Sequence, residues 1–418
     1  MQADLILKDC RQLVTLRGGA EPRTGSAMSD PGIIAGGALA VKDGRILAVS
    51  TTAEIMAAYS APEVVSADGK LVLPGFVDCH THPVFVHTRE DEFALRLEGK
   101  SYVEISLAGG GIRGTIRTTR DASEDLLFEL AAKRIRKMIA LGATTVEAKS
   151  GYGLDTASEL KQLRVIARLN KELPVTVVPT FMGAHEFPEE FKDNHAAYVK
   201  ILCEEMIPAV AEQGIARFCD IFTEAHVFGI EESRIVLNCA RDHGLSLKMH
   251  ADEIEPIGGA ELAAELGCVS ADHLGAASDA GIQAMKESGV IPVLLPATLY
   301  SLASKKYARG RHMIDCGLPV AIATDYNPGS CNCDSLPFTM SLACLQMGLN
   351  PVEALCACTI NAAHALGLGA ETGSLEPGKL ADFCIWDIPS LNFIPYHLGS
   401  SHITAVYARG KLVHTSSE

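Results

Sequence analysis

The sequence predicts an α/β fold: a (β/α)8 TIM-type barrel carrying a small β-sandwich domain assembled from both chain ends. Three observations predict it. Eight short apolar runs, each ending in polar or ionisable residues and followed by a helical stretch, fill the middle of the chain. Spacings such as the 23 residues from His250 to His273 and the 29 from Pro296 to Asp325 match one strand-loop-helix-loop unit. Both ends instead show alternating or β-branched stretches between turn signals.

Residues 4 to 16, 38 to 50 around the Asp43-Gly44 turn, and 64 to 72 around Asp68-Gly69 read as antiparallel β structure. The barrel strands follow as LVLPGFVDCHTH, ATTVEAKSGYG, VTVVPTFMGAH, RFCDIFTEAH, LSLKMHADE, CVSADHLG, VIPVLLPA and PVAIATDYN. Between the first two, Leu127, Leu130, Ala131, Ile135 and Met138 share a helical face behind the N-cap candidate Ser123, and Gly142 ends that helix. Residues 380 to 387 and 403 to 414 return to β character around a Gly/Pro-rich connection. The expected division is 1–70 and 370–418 for the small domain and 71–369 for the barrel. A doubly wound open sheet is the alternative; a barrel draws its chemistry from the C-terminal ends of many strands.

Composition excludes several classes. The 418 residues are 48% hydrophobic with a net charge of −15, which suits a large buried core and repels phosphate backbones. No Lys/Arg-rich run is present, so neither nucleic acid nor an anionic membrane is an expected partner. The first ten residues, MQADLILKDC, hold no secretory apolar region, and no stretch approaches the ~20 apolar residues of a membrane span. The 13 cysteines are odd in number; Cys331/Cys333 and Cys356/Cys358 lack CxxC spacing. They read as reduced thiols of a cytoplasmic protein.

His80 and His82 stand two apart at the end of an apolar run, where strand alternation turns both to one face. His250, His273 and Asp325 end three further strands. Imidazole nitrogens with one carboxylate oxygen and an open position for water suit Zn²⁺ or a similar divalent ion such as iron.

On these residues the chain resembles the amidohydrolase superfamily: PGFVDCHTH at 74–82, the three strand ends, and EPGKLADFCIWD at 376–387. VEAKSGYGL at 146–154, FMGAHEFP at 181–188, KMHADE at 248–253 and TDYNPGS at 324–330 are similar to the imidazolonepropionases within it. The resemblance implies one divalent metal per chain, Zn or Fe, on His80, His82, His250 and Asp325. It implies substrate contacts from Arg89, Tyr152, His185, Glu253, Asn327, Gly329 and Ser330, and acid/base roles for His273, Glu253 and Asp325. The implied reaction opens 4-imidazolone-5-propanoate to N-formimino-L-glutamate, and the expected assembly is a homodimer.

Residue chemistry supports these assignments one by one. Arg89 offers a planar fork for a propionate in a chain that otherwise repels anions, with Arg96, Arg113, Arg117 and Arg120 as rivals. Tyr152, between Gly151 and Gly153, can swing over a small ring or rim the barrel. His185 can donate to a ring carbonyl or cap the barrel. Gly329 admits backbone amides to a carboxylate, although an ordinary Asn-Pro-Gly turn explains the same letters. Glu253, three residues past His250, can protonate a departing nitrogen; either His273 or Asp325 can serve as base. Lys149 ends the second strand rather than the fourth, so it reads as an ion-pair residue, with Glu147 its candidate partner, and not as a bridge between two metals.

Two other functions fit parts of the pattern. A nucleobase deaminase uses the same metal set but has no propionate for Arg89 to bind. A non-catalytic scaffold relative would lack metal ligands, and none is missing.

Overall fold

The computed structural model describes residues 1–100 and 110–416. Eight strands in sequential order form one parallel sheet: Phe76–Asp78, Ala143–Lys149, Thr176–Ala184, Phe218–Thr223, Ser246–Ala251, Ser270–His273, Ile291–Leu294 and Ala321–Ile322. A doubly wound sheet would reverse its order midway; this one does not. The first and eighth strands meet through a parallel bridge between Thr81 and Tyr326. His82 N donates to Tyr326 O at 2.8 Å and Asp325 N to His80 O at 3.0 Å. Buried Asp78 seals the seam by accepting from Thr324 N at 3.0 Å and Thr324 Oγ1 at 2.6 Å. This closure brings the His80/His82 strand end against Asp325, 243 residues away in sequence.

The predicted helix spans Glu124–Ala140, with Ser123 accepting from Leu126 N at its N-terminus. Leu127, Ala131, Ile135 and Met138 are buried, whereas Leu130 lies at the edge of the apolar face and Phe128 takes its place in the core. Gly142, at φ +96°, turns the chain into the second strand.

Both chain ends contribute to a second, eight-stranded mixed sheet. Leu5–Val14 and Ile33–Lys42 pair antiparallel, and Ile33–Lys42 continues through the Asp43-Gly44 turn to Arg45–Thr51. Asp43 and Gly44 both have positive φ, as a tight hairpin turn of matching twist requires. The Asp68-Gly69 segment corrects the antiparallel expectation. Glu63–Ser66 and Leu71–Pro74 both run parallel to Leu5–Val14, one after the other along the same edge, so this turn offsets the chain without reversing it. Leu71–Pro74 also pairs with Phe383–Trp386, which joins the two chain ends just past residue 70. The sheet folds back on itself where Ile46 N donates to Lys379 O and Ala381 N to Gly44 O, both at 2.9 Å. It encloses Leu7, Leu13, Leu39, Val72, Phe383 and Tyr407, so the expected sandwich is one continuous folded sheet.

The chain passes from this sheet into the barrel at Gly75, where a Cβ would lie 2.3 Å from Thr144 Oγ1. No described helix is long and apolar enough to cross a membrane. All 13 cysteines are free thiols.

Candidate active site

His80 and His82 emerge from the first strand and are buried at 0% and 2% exposure. Their Nε2 atoms lie 3.3 Å apart, and each is 3.5 Å from Asp325 Oδ1. A tetrahedral ion with ligand bonds of about 2.0–2.1 Å separates its ligands by roughly 3.3–3.4 Å. These three atoms therefore match the edges of one coordination sphere. The donor nitrogens of His80, His82 and His250 all lie within 4.8 Å of one another, as do the donor atoms of His80, His273 and Asp325. Burial holds His80, His82 and His273 well below the usual imidazole range, so they are neutral, as metal ligation requires.

Carboxylates not identified from the sequence aim these rings. His80 Nδ1 lies 2.6 Å from Asp272 Oδ2, and His250 Nδ1 lies 3.1 Å from Asp220 Oδ1, which leaves each Nε2 for the centre. Thr298 Oγ1 donates to Asp325 Oδ2 at 2.6 Å, so the oxygen facing the histidines is Oδ1. Burial raises the Asp325 carboxyl to about 6. His273, Leu274 and Asp325 have φ of +74°, +59° and +53°, conformations that cost non-glycine residues energy and recur at functional sites.

Glu253 Oε2 lies 3.5 Å from His273 Nδ1. Burial, reinforced by the Asp325 and Glu224 carboxylates, raises Glu253 to about 8, so it carries a proton at neutral pH. Glu224, also missed from sequence, shapes the loop by accepting from Ile254 N at 2.9 Å. Asp252 points elsewhere: its carboxylate accepts from Gly258, Gly259 and Ala260 amides and caps the helix Gly259–Leu266.

The propionate candidate Arg89 sits over Gly329, and a Cβ on Gly329 would fall 1.2 Å from Arg89 Nη2. Among the rivals, Arg96 reaches the same loop through Gly329 O at 3.4 Å, whereas Arg113 and Arg120 pair with Glu189 and Glu190. Asn327 holds the loop together. Its Oδ1 accepts from Gly329 N and Ser330 N, both at 2.8 Å, and its Nδ2 donates to Asp325 O and Ser330 Oγ. The two amides expected to meet a carboxylate are thus engaged by Asn327, as in an ordinary Asn-centred turn.

Tyr152 is buried, its ring 6.1 Å from that of His82 and 5.3 Å from that of His185. Buried Glu159 positions its loop by accepting from Gly151, Gly153 and Leu154 amides. His185 Nδ1 lies 2.9 Å from Gly151 O, so this nitrogen donates. Burial depresses the imidazole to about 3, so the neutral ring offers Nε2 as an acceptor. The expectation that His185 donates to a ring carbonyl is therefore reversed. In the runs FCDIF and SADH a single carboxylate interrupts a buried barrel strand, and this is the signal that could have marked Asp220 and Asp272.

The Amidohydrolase family model matches residues 71–413. An imidazolonepropionase of Symbiobacterium thermophilum is 51% identical over 414 residues, covering 98% of this chain and 97% of the relative. One of Geobacillus sp. (strain WCH70) is 50% identical over 414 residues with the same coverage. Among solved structures, Escherichia coli guanine deaminase superposes with a TM-score of 0.75 at 15% identity, covering 99% of both chains. A zinc-bound adenosine deaminase from Xanthomonas campestris gives 0.70 at 20%, covering 98% of this chain and 93% of its own. At such identities these two structures show the fold alone. The match across most of the chain and the half-identical relatives place this protein in the amidohydrolase family, on the branch that holds the imidazolonepropionases.

Proposed function

We propose that the chain hydrolyses 4-imidazolone-5-propanoate to N-formimino-L-glutamate in histidine degradation, using one zinc or iron ion held by His80, His82, His250 and Asp325. The carrying observation is the 51% identity to an imidazolonepropionase over nearly the whole of both chains. The 3.3 and 3.5 Å separations of the candidate ligand atoms support a single ion. When bound, such an ion lowers the pKa of a coordinated water from 15.7 toward about 7 and polarises a carbonyl.

Arg89 binds the propionate through its fork, beside Tyr152, and this orients the ring. His185 Nε2 accepts from a ring N–H. Asn327, Gly329 and Ser330 close the pocket behind the carboxylate. Water adds to the ring carbonyl carbon as His273 or Asp325 takes its proton. Glu253, protonated at neutral pH, delivers a proton to the departing ring nitrogen, and the carbon-nitrogen bond breaks to leave the new α-carboxylate. The burial that holds His273 neutral leaves it able to accept. The free thiols support a reducing, cytoplasmic setting.

The test combines metal analysis of the purified protein with the ultraviolet loss of 4-imidazolone-5-propanoate. One ion per chain with chelator-sensitive turnover is expected. Ammonia release from cytosine or guanine without turnover of the imidazolone would replace this reading with a deaminase.

A further inference from the structure

Two lysine ammoniums lie inside the barrel beside the candidate ligands, and both residues are 0% exposed. Lys149 Nζ is 2.5 Å from Asp220 Oδ2, 2.8 Å from Glu147 Oε2 and 4.0 Å from Asp272 Oδ2. Lys248 Nζ is 3.1 Å from Glu147 Oε1, 3.7 Å from Asp272 Oδ2 and donates to Cys79 O at 3.0 Å. Carboxylates from the second, fourth and sixth strands thus converge on one fully buried point, and a lysine side chain fills it.

The same carboxylates serve the centre. Asp220 directs Oδ1 to His250 and Oδ2 to Lys149, while Asp272 Oδ2 lies against His80 with both ammoniums within 4.0 Å. A cation at the Lys149 position would therefore share Asp220 with the first site and stand next to Asp272. Its neighbours are hard oxygen donors; the 2.5 Å to Asp220 and 2.8 Å to Glu147 lie at or near the roughly 2.3–2.6 Å at which calcium binds carboxylates, and Asp272 at 4.0 Å stands just beyond. Three buried carboxylates without a cation would carry uncompensated charge in a dry interior.

We propose that Lys149, backed by Lys248, stands in the place of a second cation and so limits this centre to one divalent ion. The inference rests on the one-ion reading above. A lysine here supplies fixed positive charge without an exchangeable ligand, and it holds Asp220 and Asp272 where they aim the ligand rings.

The experiment counts Mn²⁺ bound to the full-length protein, stripped by chelation and retitrated, by electron paramagnetic resonance and elemental analysis, alongside the melting temperature. Wild type should bind about one ion. Lys149→Ala opens the position and should bind about two, its melting temperature rising with Mn²⁺ over a second saturable range. Lys149→Met removes the charge but fills the space, so it should stay at about one ion with no such rise. The proposal is overturned by a folded Lys149→Ala that binds only one ion. It is equally overturned by a Lys149→Ala whose lost melting transition excess Mn²⁺, Mg²⁺ and Ca²⁺ all fail to restore. Failure of the one-ion reading shows separately, in wild type: no bound ion or two would remove that reading and this inference with it.

Discussion

Gly329→Ala should weaken substrate binding without touching a group that reacts. The backbone of Gly329 lies outside the left-handed region, so alanine is tolerated there conformationally. The added Cβ would fall 1.2 Å from Arg89 Nη2, 2.3 Å from Cζ and 2.9 Å from Nε. Carbon-nitrogen contact needs more than 3 Å, so the guanidinium must move by about 2 Å, farther than a bidentate pair tolerates. Room exists for it to do so: Arg89 borders a cavity of about 980 Å³ together with Phe93, Arg96 and Tyr300. The clash is thus relieved by displacing one side chain rather than by unfolding. Losing a charge-assisted pair costs about 1.5–3 kcal/mol, or roughly ten- to hundredfold in KM. The carboxylate lies remote from the reacting carbon, so kcat should change far less. Steady-state kinetics on 4-imidazolone-5-propanoate measure both constants, with Arg89→Ala and the double variant completing a cycle. Because the two substitutions remove the same contact, the double variant should resemble either single one. An unchanged KM in Gly329→Ala, or additive losses in the cycle, would refute the pairing of Arg89 with the propionate.

Glu253→Gln should retain the metal and the fold while kcat falls by about 10²–10⁴, the usual loss for a missing general acid; metal analysis and single-turnover rates decide it. Asp252→Ala should act on stability, because it leaves the three amide donors of Gly258, Gly259 and Ala260 at the start of the helix Gly259–Leu266 without their carboxylate acceptor. A loss of about 1–3 kcal/mol in denaturant unfolding is expected, and normal stability with dead chemistry would move Asp252 into the site. Thr298→Val should free Asp325 Oδ2 and weaken metal affinity by about 10–100-fold, with Thr298→Ser restoring it; competition with a chelating dye reads the difference.

Much of this protein was legible along the chain because strand alternation and strand ends are local properties. The eight apolar runs, the Ser123 cap and the paired His80 and His82 all follow from residues a few positions apart. Tertiary structure decided the rest. The closure that sets Asp325 against His80 depends on the eighth strand returning to the first, a relation no local pattern encodes. Asp68-Gly69 looked like a hairpin turn; the edge of Leu5–Val14 was instead long enough to accept two parallel strands in succession. Asp220, Asp272 and Glu159 looked like ordinary polar residues until burial left each a single set of donors. The direction of the His185 hydrogen bond hung on Gly151 O, a backbone atom whose position the side-chain sequence leaves open. Sequence determined which chemical groups this chain carries and which strands end in them. Only folding determined which nitrogen or oxygen of each faces inward, since that depends on partners brought from distant strands into a space without water.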